Sequence, residues 1–192
     1  MGAPERGRNA EIRPRRGVRV ALEAFACAAI AGVALAGPAA AEAIPEPGAP
    51  FRSVEGGFSA PFPEAPLFAE RREATLLGML RTRSWEVERG TLRLRVERHD
   101  LPALASATLG GEALLERAAR ELLVDAGARA VQAAPARLRA HPGRHLRYEP
   151  GERPGEIEDA WLYLLGRRLY VILARGGAPA LDFAASVEIA DE

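Results

Sequence analysis

The chain contains no lysine; all 26 of its basic residues are arginine. That removes the lysine on which a P-loop depends, and there is no Gly-x-Gly-x-x-Gly run to cradle a dinucleotide phosphate. Cysteine is nearly absent as well. The single Cys27 lies in an apolar run near the N-terminus, so once that segment is removed the chain has neither a disulfide nor thiol chemistry. Stability must then come from a hydrophobic core, which is feasible for a domain of about 140 residues. Net charge is also missing: 26 basic residues balance 26 acidic ones, which gives no global reason to expect nucleic acid or an acidic membrane as partner. With 48% hydrophobic and 27% charged residues, the composition is that of a globular chain rather than a disordered one.

What is present begins with an export signal. Arg13, Arg15, Arg16 and Arg19 form a basic flank, Ala24 to Gly37 is apolar, and Pro38 ends the run. Ala39-Ala40-Ala41 and Ala41-Glu42-Ala43 both satisfy the small-residue cleavage rule. A membrane span would need about 20 apolar residues. Extending the run toward the N-terminus meets Glu23 and Arg19, which are costly in lipid. The expectation is a cleaved signal peptide over residues 1–43, with an uncleaved anchor as its rival. Arg15-Arg16 leaves twin-arginine export open beside the general secretory route. Removal takes away six arginines and four acids and leaves 20 basic against 22 acidic residues. Residues 44–50 form a Pro-rich tether, and 51–192 are expected to fold as a single domain.

The central stretch of that domain is Trp161 to Arg175, two apolar runs divided by Gly166-Arg167. A two-residue loop with glycine first suits a type II′ hairpin turn. The pairing then sets Leu164 opposite Leu169, Tyr163 opposite Tyr170, Leu162 opposite Val171 and Trp161 opposite Ile172. Trp161, Tyr163, Tyr170 and Ile172 share one face, and Leu162, Leu164, Leu169, Val171 and Leu173 share the other. Both faces are apolar, so the hairpin belongs mid-sheet with cover on each side. A fully buried Trp161 would make its truncation to alanine cost about 3–5 kcal/mol.

A second hairpin is expected upstream. A long β-like stretch from Ala74 to Val87 leads into Leu92 to Glu97, which alternates with period two. An Arg89-Gly90 loop sets Val87 opposite Leu92 and Trp85 opposite Leu94, leaving Glu86, Arg93 and Arg95 on a solvated face. Before these, Phe58, Ala60 and Phe62 read as a short or edge strand after a Gly56-Gly57 turn. Glu112 to Ala126 repeats leucine and alanine at three- and four-residue intervals, with Glu116–Arg120 and Arg117–Glu121 pairs outside and Gly127 at its end: an amphipathic helix that must cover a sheet face. Ala103 to Gly111 reads as loop. Val131 to Ala140 is divided between helix and strand. His141-Pro142-Gly143-Arg144 reads as a turn, and Ala180 to Ala185 as a short helix before a final strand or tail at Ser186 to Ile189.

No constellation of catalytic, cofactor-binding or metal-binding residues is assigned. His141 and His145 stand four apart, but Pro142-Gly143 breaks the helix that would bring them together, and nothing completes a zinc set. His99-Asp100 has no nucleophile setting such as Gly-x-Ser-x-Gly near it. Gly110-Gly111 precedes a helix, yet Glu112 would repel phosphate. Trp161, Tyr163 and Tyr170 could stack a ligand, though aromatics in a two-sided hairpin are more simply core. Arg93 and Arg95 could hold an anion, though a solvated strand face with an ion pair explains them more simply.

The short motifs fall in a familiar order. Phe58-Ser-Ala-Pro-Phe-Pro63, the Trp85-Glu-Val hairpin ending in Asp100-Leu-Pro102, the turn at Pro142-Gly143-Arg144, Arg168-Leu-Tyr170 and Phe183-Ala-Ala-Ser186 together resemble small exported domains of the PsbP-like fold. The resemblance implies an α+β fold, an antiparallel sheet with helices packed on both faces. It also implies an exported, periplasmic or extracellular accessory or binding protein without catalysis or cofactor, whose partner is an unidentified protein or small molecule. Nucleic acid is not expected, and membrane contact is expected only through the signal peptide. An exported hydrolase and a membrane-tethered domain remain as alternatives. A pocket with converging polar side chains would favour the enzyme, and an exposed apolar patch the binding module.

Overall fold

A computed structural model describes residues 49–190. The expected signal segment at 1–43 and most of the tether lie outside the described residues. The elements are β1 (Phe51–Ser53), β2 (Phe58–Ala60), β3 (Leu67–Thr75), β4 (Gly78–Arg89), β5 (Leu92–Asp100), α1 (Ala103–Thr108) and α2 (Gly111–Asp125). They continue with β6 (Arg129–Leu138), β7 (His141–Glu149), β8 (Glu158–Leu165), β9 (Arg168–Arg175), α3 (Ala178–Ala185) and β10 (Glu188–Ile189). A seven-stranded antiparallel sheet runs β3-β4-β5-β9-β8-β7-β6, and a three-stranded sheet runs β1-β2-β10. This is the α+β architecture expected.

The centre follows directly from the two-sided hairpin. Trp161 pairs with Ile172, Leu162 with Val171, Tyr163 with Tyr170 and Leu164 with Leu169, and β9 is the middle strand of the seven. Gly166 takes a positive φ of 56°, as a hairpin turn with glycine first requires. One face gathers Trp85, Val96, Tyr163, Tyr170 and Ile172 beneath the small sheet and α3, whose Phe183 joins them. The opposite face gathers Leu146, Leu162, Val171 and Leu173 beneath Leu114, Leu115, Ala118 and Leu122 of α2. The helix therefore buries its leucine stripe on one side of the hairpin. α3 and the small sheet bury the other side. The predicted Glu116–Arg120 pair forms on the outside of α2 at 3.9 Å.

Four local expectations are corrected. The turn between β4 and β5 is Gly90-Thr91 rather than Arg89-Gly90, so Val87 pairs with Leu94 and Trp85 with Val96. Moving the partner by two residues keeps every side chain on its face, which is why hydrophobic matching alone did not separate the two registers. The stretch from Ala74 to Val87 is not one strand: Thr75 ends β3, a turn follows at Leu76-Leu77, and Gly78 opens β4 with φ 122°. Ala103 to Thr108 is helix α1, not loop. His141 to Arg144 is not a turn but the start of β7, with Arg139-Ala140 forming the connection. The ambiguous stretch resolves as β6, an edge strand that tolerates Pro135 because no strand among the described residues pairs with its outer side.

Gly143 is a fixed point of this packing. A Cβ there would lie 2.4 Å from Tyr163 Cδ1 and 2.6 Å from the Leu162 carbonyl oxygen, and a backbone atom cannot swing aside. Trp85 rather than Trp161 is the fully buried indole, at 1% exposure, with Phe58 edge-on at 5.0 Å and Phe68 tilted at 5.3 Å. Trp161 is only half-buried. The large truncation cost therefore moves: Trp85→Ala is expected to destabilise the protein by about 3–5 kcal/mol, and Trp161→Ala by clearly less. Urea unfolding midpoints of the two variants test this; equal losses would contradict the assignment of the core.

Candidate functional site

Strand β5 alternates Leu94 and Val96 on the Trp85 face with Arg93, Arg95, Glu97 and His99 on the α2 face. Of the second set, Arg93 and Arg95 were expected in water. Instead Arg95 is 6% exposed, and Glu97 and His99 are fully buried. The reason is position: β5 lies next to the middle strand, so its polar face is covered and each charge must find a partner inside. Arg93 binds Glu86 at 2.7 Å and Glu158 at 3.1 Å. Arg95 bridges Glu86 at 3.6 Å and Glu97. His99 Nε2 lies 3.0 Å from Glu97 Oε2, and its Nδ1 lies 3.0 Å from the Thr82 hydroxyl. Arg175 extends the chain to Glu158, Glu88 and Glu156. Burial by itself would raise the Glu97 carboxyl, but Arg95 and the His99 hydrogen bond hold it below its ordinary value. Burial and Glu158 push the Tyr148 phenol up. The network is a paired internal framework.

The other histidines are also placed. His141 and His145 share β7, and four residues along a strand set them about 13 Å apart, too far for one metal. The His145 ring stacks on Trp161, with centroids 4.5 Å apart and planes at 9°. Its Nε2 lies 2.7 Å from Asp159 Oδ1. Among the described residues no hydroxyl hydrogen-bonds to that ring. Glu112, at the start of α2, accepts a hydrogen bond from Arg144 at 2.6 Å. Tyr170 is fully buried and donates its hydroxyl proton to the Gly56 carbonyl at 2.9 Å.

The arrangement that the sequence did not disclose lies on the Trp85 face, where β3, β4, β5 and β9 bring Glu70, Arg72, Arg81, Arg83, Arg98, Asp100 and Arg168 into two neighbouring rows. Arg72 binds Glu70 at 2.9 Å, Arg83 binds it at 3.2 Å, and Arg81 binds it too. Arg83 and Arg98 also reach Asp100, at 3.2 and 2.7 Å. Four arginines meet two carboxylates, and Arg168 stands opposite Asp100 in the register. Burial would raise Glu70, but the hydrogen bonds from Arg81, Arg72 and Arg83 outweigh it and bring the carboxyl from an ordinary 4.5 to about 2. A period-two Arg81, Arg83 run ahead of Trp85 was the available signal, since it marks one strand face passing from charged to apolar.

This corner holds a loop. Arg98 donates to the Glu55 carbonyl at 2.9 Å and Arg83 at 3.3 Å, beside the Tyr170 bond to Gly56. Gly56 N–H donates to Ser53 Oγ at 2.8 Å, and Gly57 N–H to the Ser53 carbonyl at 2.9 Å. A Cβ on Gly56 would lie 2.6 Å from the Phe58 ring. The clamped loop forms one wall of an open cavity of about 440 Å³ that also takes in Arg52, Arg139, Glu188 and Ile189.

No family model matches the chain, and no curated protein matches it either. Among solved structures, the chain is similar to cyanobacterial PsbP from Synechocystis sp. PCC 6803, determined in solution. The match has 10% identity and a TM-score of 0.48, and covers 82% of this chain and 98% of that one. No residue role is carried across it.

The Glu70 cluster gives a pH prediction. A carboxyl depressed in the folded state adds stability that is present above its unfolded value and is lost as pH falls through the folded one. The Glu70 contribution should therefore be complete above pH 4.5 and disappear toward about 2. Glu70→Gln should flatten that part of the acid limb, as read from urea midpoints against pH. An unchanged limb would show that Glu70 is not held by its arginines.

Proposed function

We propose that this chain is exported and acts as a binding or accessory module without catalysis, and that its arginine corner docks an acidic surface of a partner protein. The observation that carries the reading is the charge excess at that corner: four arginines on three adjacent strands against two carboxylates. An isolated arginine on a surface is ordinary. Here Arg83 and Arg98 are largely buried and tied to the Glu55 carbonyl, while Arg72 and Arg81 extend the same cluster outward. Guanidinium keeps its proton at any usable pH, so the cluster suits recognition rather than proton transfer. Export is supported by the basic flank, apolar run and small residues at the start of the chain. Among the described residues no helix is long and apolar enough to cross a membrane.

A hydrolase is the second reading, and one observation favours it: the His145–Asp159 pair on Trp161 resembles the base and orienting carboxylate of an acyl-transfer site. His145→Ala would abolish such an activity and leave partner binding untouched.

Deca-glutamate serves as the probe for the corner. It should bind the protein with an affinity that falls steadily as salt is raised. Arg72→Glu, at a side chain 63% exposed, should weaken binding about tenfold. Salt-independent binding, or an unaffected variant, would remove the corner from the proposal. Mass spectrometry of the exported protein should find Glu42 or Ile44 as its first residue; an intact Met1 would show a tethered protein instead.

A further inference from the structure

We infer that the partner element seated on the arginine corner is an amphipathic acidic helix whose apolar side rests on the tip of the β3–β4 hairpin. The inference deepens the corner reading and rests on it. It starts from an uneven distribution of exposed apolar side chains. Of the eight large apolar residues left exposed among the described residues, Leu76, Met79 and Leu104 stand at one end of the fold, 66%, 57% and 55% exposed. Leu76 is in the β3–β4 turn and Met79 is the second residue of β4. Leu104 comes two residues after Pro102, against which Gly78 packs: a Cβ on Gly78 would lie 3.2 Å from the Pro102 Cβ. The turn sends one leucine inward and one outward. Leu77 packs against the core beneath α2, whereas Leu76 is left in water. The turn is also held, because the Thr75 hydroxyl donates to the Gly78 carbonyl at 2.6 Å and accepts from the Leu77 N–H at 3.3 Å. Little ordering is then needed on binding.

This tip is continuous with the arginine corner. Ala74 pairs with Met79 and Arg72 with Arg81, so Met79 and Arg81 stand on one face about 7 Å apart along β4. Glu73 pairs with Leu80 on the other face and is bound by Arg71, so on β3 and β4 no acid stands on this face between the tip and Glu70. Arg72 uses only its Nε–H on Glu70. Its terminal N–H groups are left to meet a further carboxylate, for which a planar guanidinium fork is suited. Two strand residues span about 7 Å and four helix residues about 6 Å. A helix lying along β4 therefore sets an apolar side chain over Met79 and, one turn on, a carboxylate over Arg81 and Arg72. A strand added to β3 fits less well, since residues 70–73 are four consecutive charges. A bilayer fits less well too: tips that enter the headgroup layer carry aromatic residues, and residues 69–84 contain none.

The probes are an alanine-based helical peptide with glutamates one turn from leucines, and its counterpart with serines in place of the leucines, each followed by fluorescence anisotropy as protein is added. The leucine peptide should bind about tenfold more tightly than the serine peptide, with an affinity that falls as salt is raised. Met79→Ser and Leu76→Ser, each at an exposed side chain, should remove most of that advantage and leave deca-glutamate binding at the parent level. Either variant serves if the other misfolds. Val124→Ser, at an exposed side chain of α2, should bind both peptides as the parent does. The inference is overturned if the two peptides bind equally or if both tip variants keep the full advantage. It is also overturned if phosphatidylglycerol vesicles retain the parent protein but not Met79→Ser, which would make the tip a membrane contact. Equal peptide binding with deca-glutamate binding intact would remove the helix and leave the corner. Failure of deca-glutamate to bind the parent protein would remove the corner, and the inference with it.

Discussion

Strand β5 imposes the constraint on which the rest of the molecule depends. It lies next to the middle strand and carries Arg93, Arg95, Glu97 and His99 on a covered face. Ions in such a place are tolerated only when paired, and removal of one partner from a buried pair costs about 3–5 kcal/mol. The counter-charges come from Glu86 on β4, Glu158 on β8 and Glu97 on β5 itself, and Arg175 on β9 shares Glu158. β8 and β9 are far from β5 in sequence. A register slip that spared the apolar contacts would still separate Arg93 from Glu158. The network thus selects among pairings that hydrophobic burial treats as equal, as with the two registers open to the β4–β5 hairpin.

What could be read from the sequence tracks the kind of signal each element carries. The β8–β9 pairing was legible because both faces are apolar and Gly166 marks the turn. The α2 helix was legible because its leucines repeat at helical spacing and Gly127 ends it. β3 was not, since Leu67 to Thr75 is an edge strand whose Glu70, Arg71, Arg72 and Glu73 break any apolar alternation. The burial of Arg95 and Glu97 was hidden for a different reason. Alternation of apolar with charged residues reports that a strand has two unlike faces, but not that the second is dry. Only the strand order, which comes from contacts across more than sixty residues in the case of Arg93 and Glu158, reveals that. The arginine corner and the cavity were invisible on the same ground, because their residues come from opposite ends of the chain.

The two outer strands of the large sheet end it in different ways. β3 presents consecutive charged residues, which discourage addition of a further strand. β6 uses Pro135 and an irregularity between Ala130 and Gln132, which remove a donor and bend the edge. Both devices block sheet extension. Association through strand addition is thereby disfavoured at each edge.

That restriction gives the arginines their significance. On the α2 face the ions neutralise one another inside the protein, which fixes the sheet but offers nothing outward. On the Trp85 face the same residue type is left in excess over Glu70 and Asp100, partly exposed, and used to clamp the loop that walls the cavity. The difference lies in composition: the α2-face arginines face Glu86, Glu88, Glu97, Glu156 and Glu158, whereas the corner has only two acids. The same side chain thus serves architecture where acids are plentiful and outnumbers its acids where they are scarce. The chain as a whole is neutral, so the proposed docking of an acidic partner rests on a local imbalance rather than on net charge.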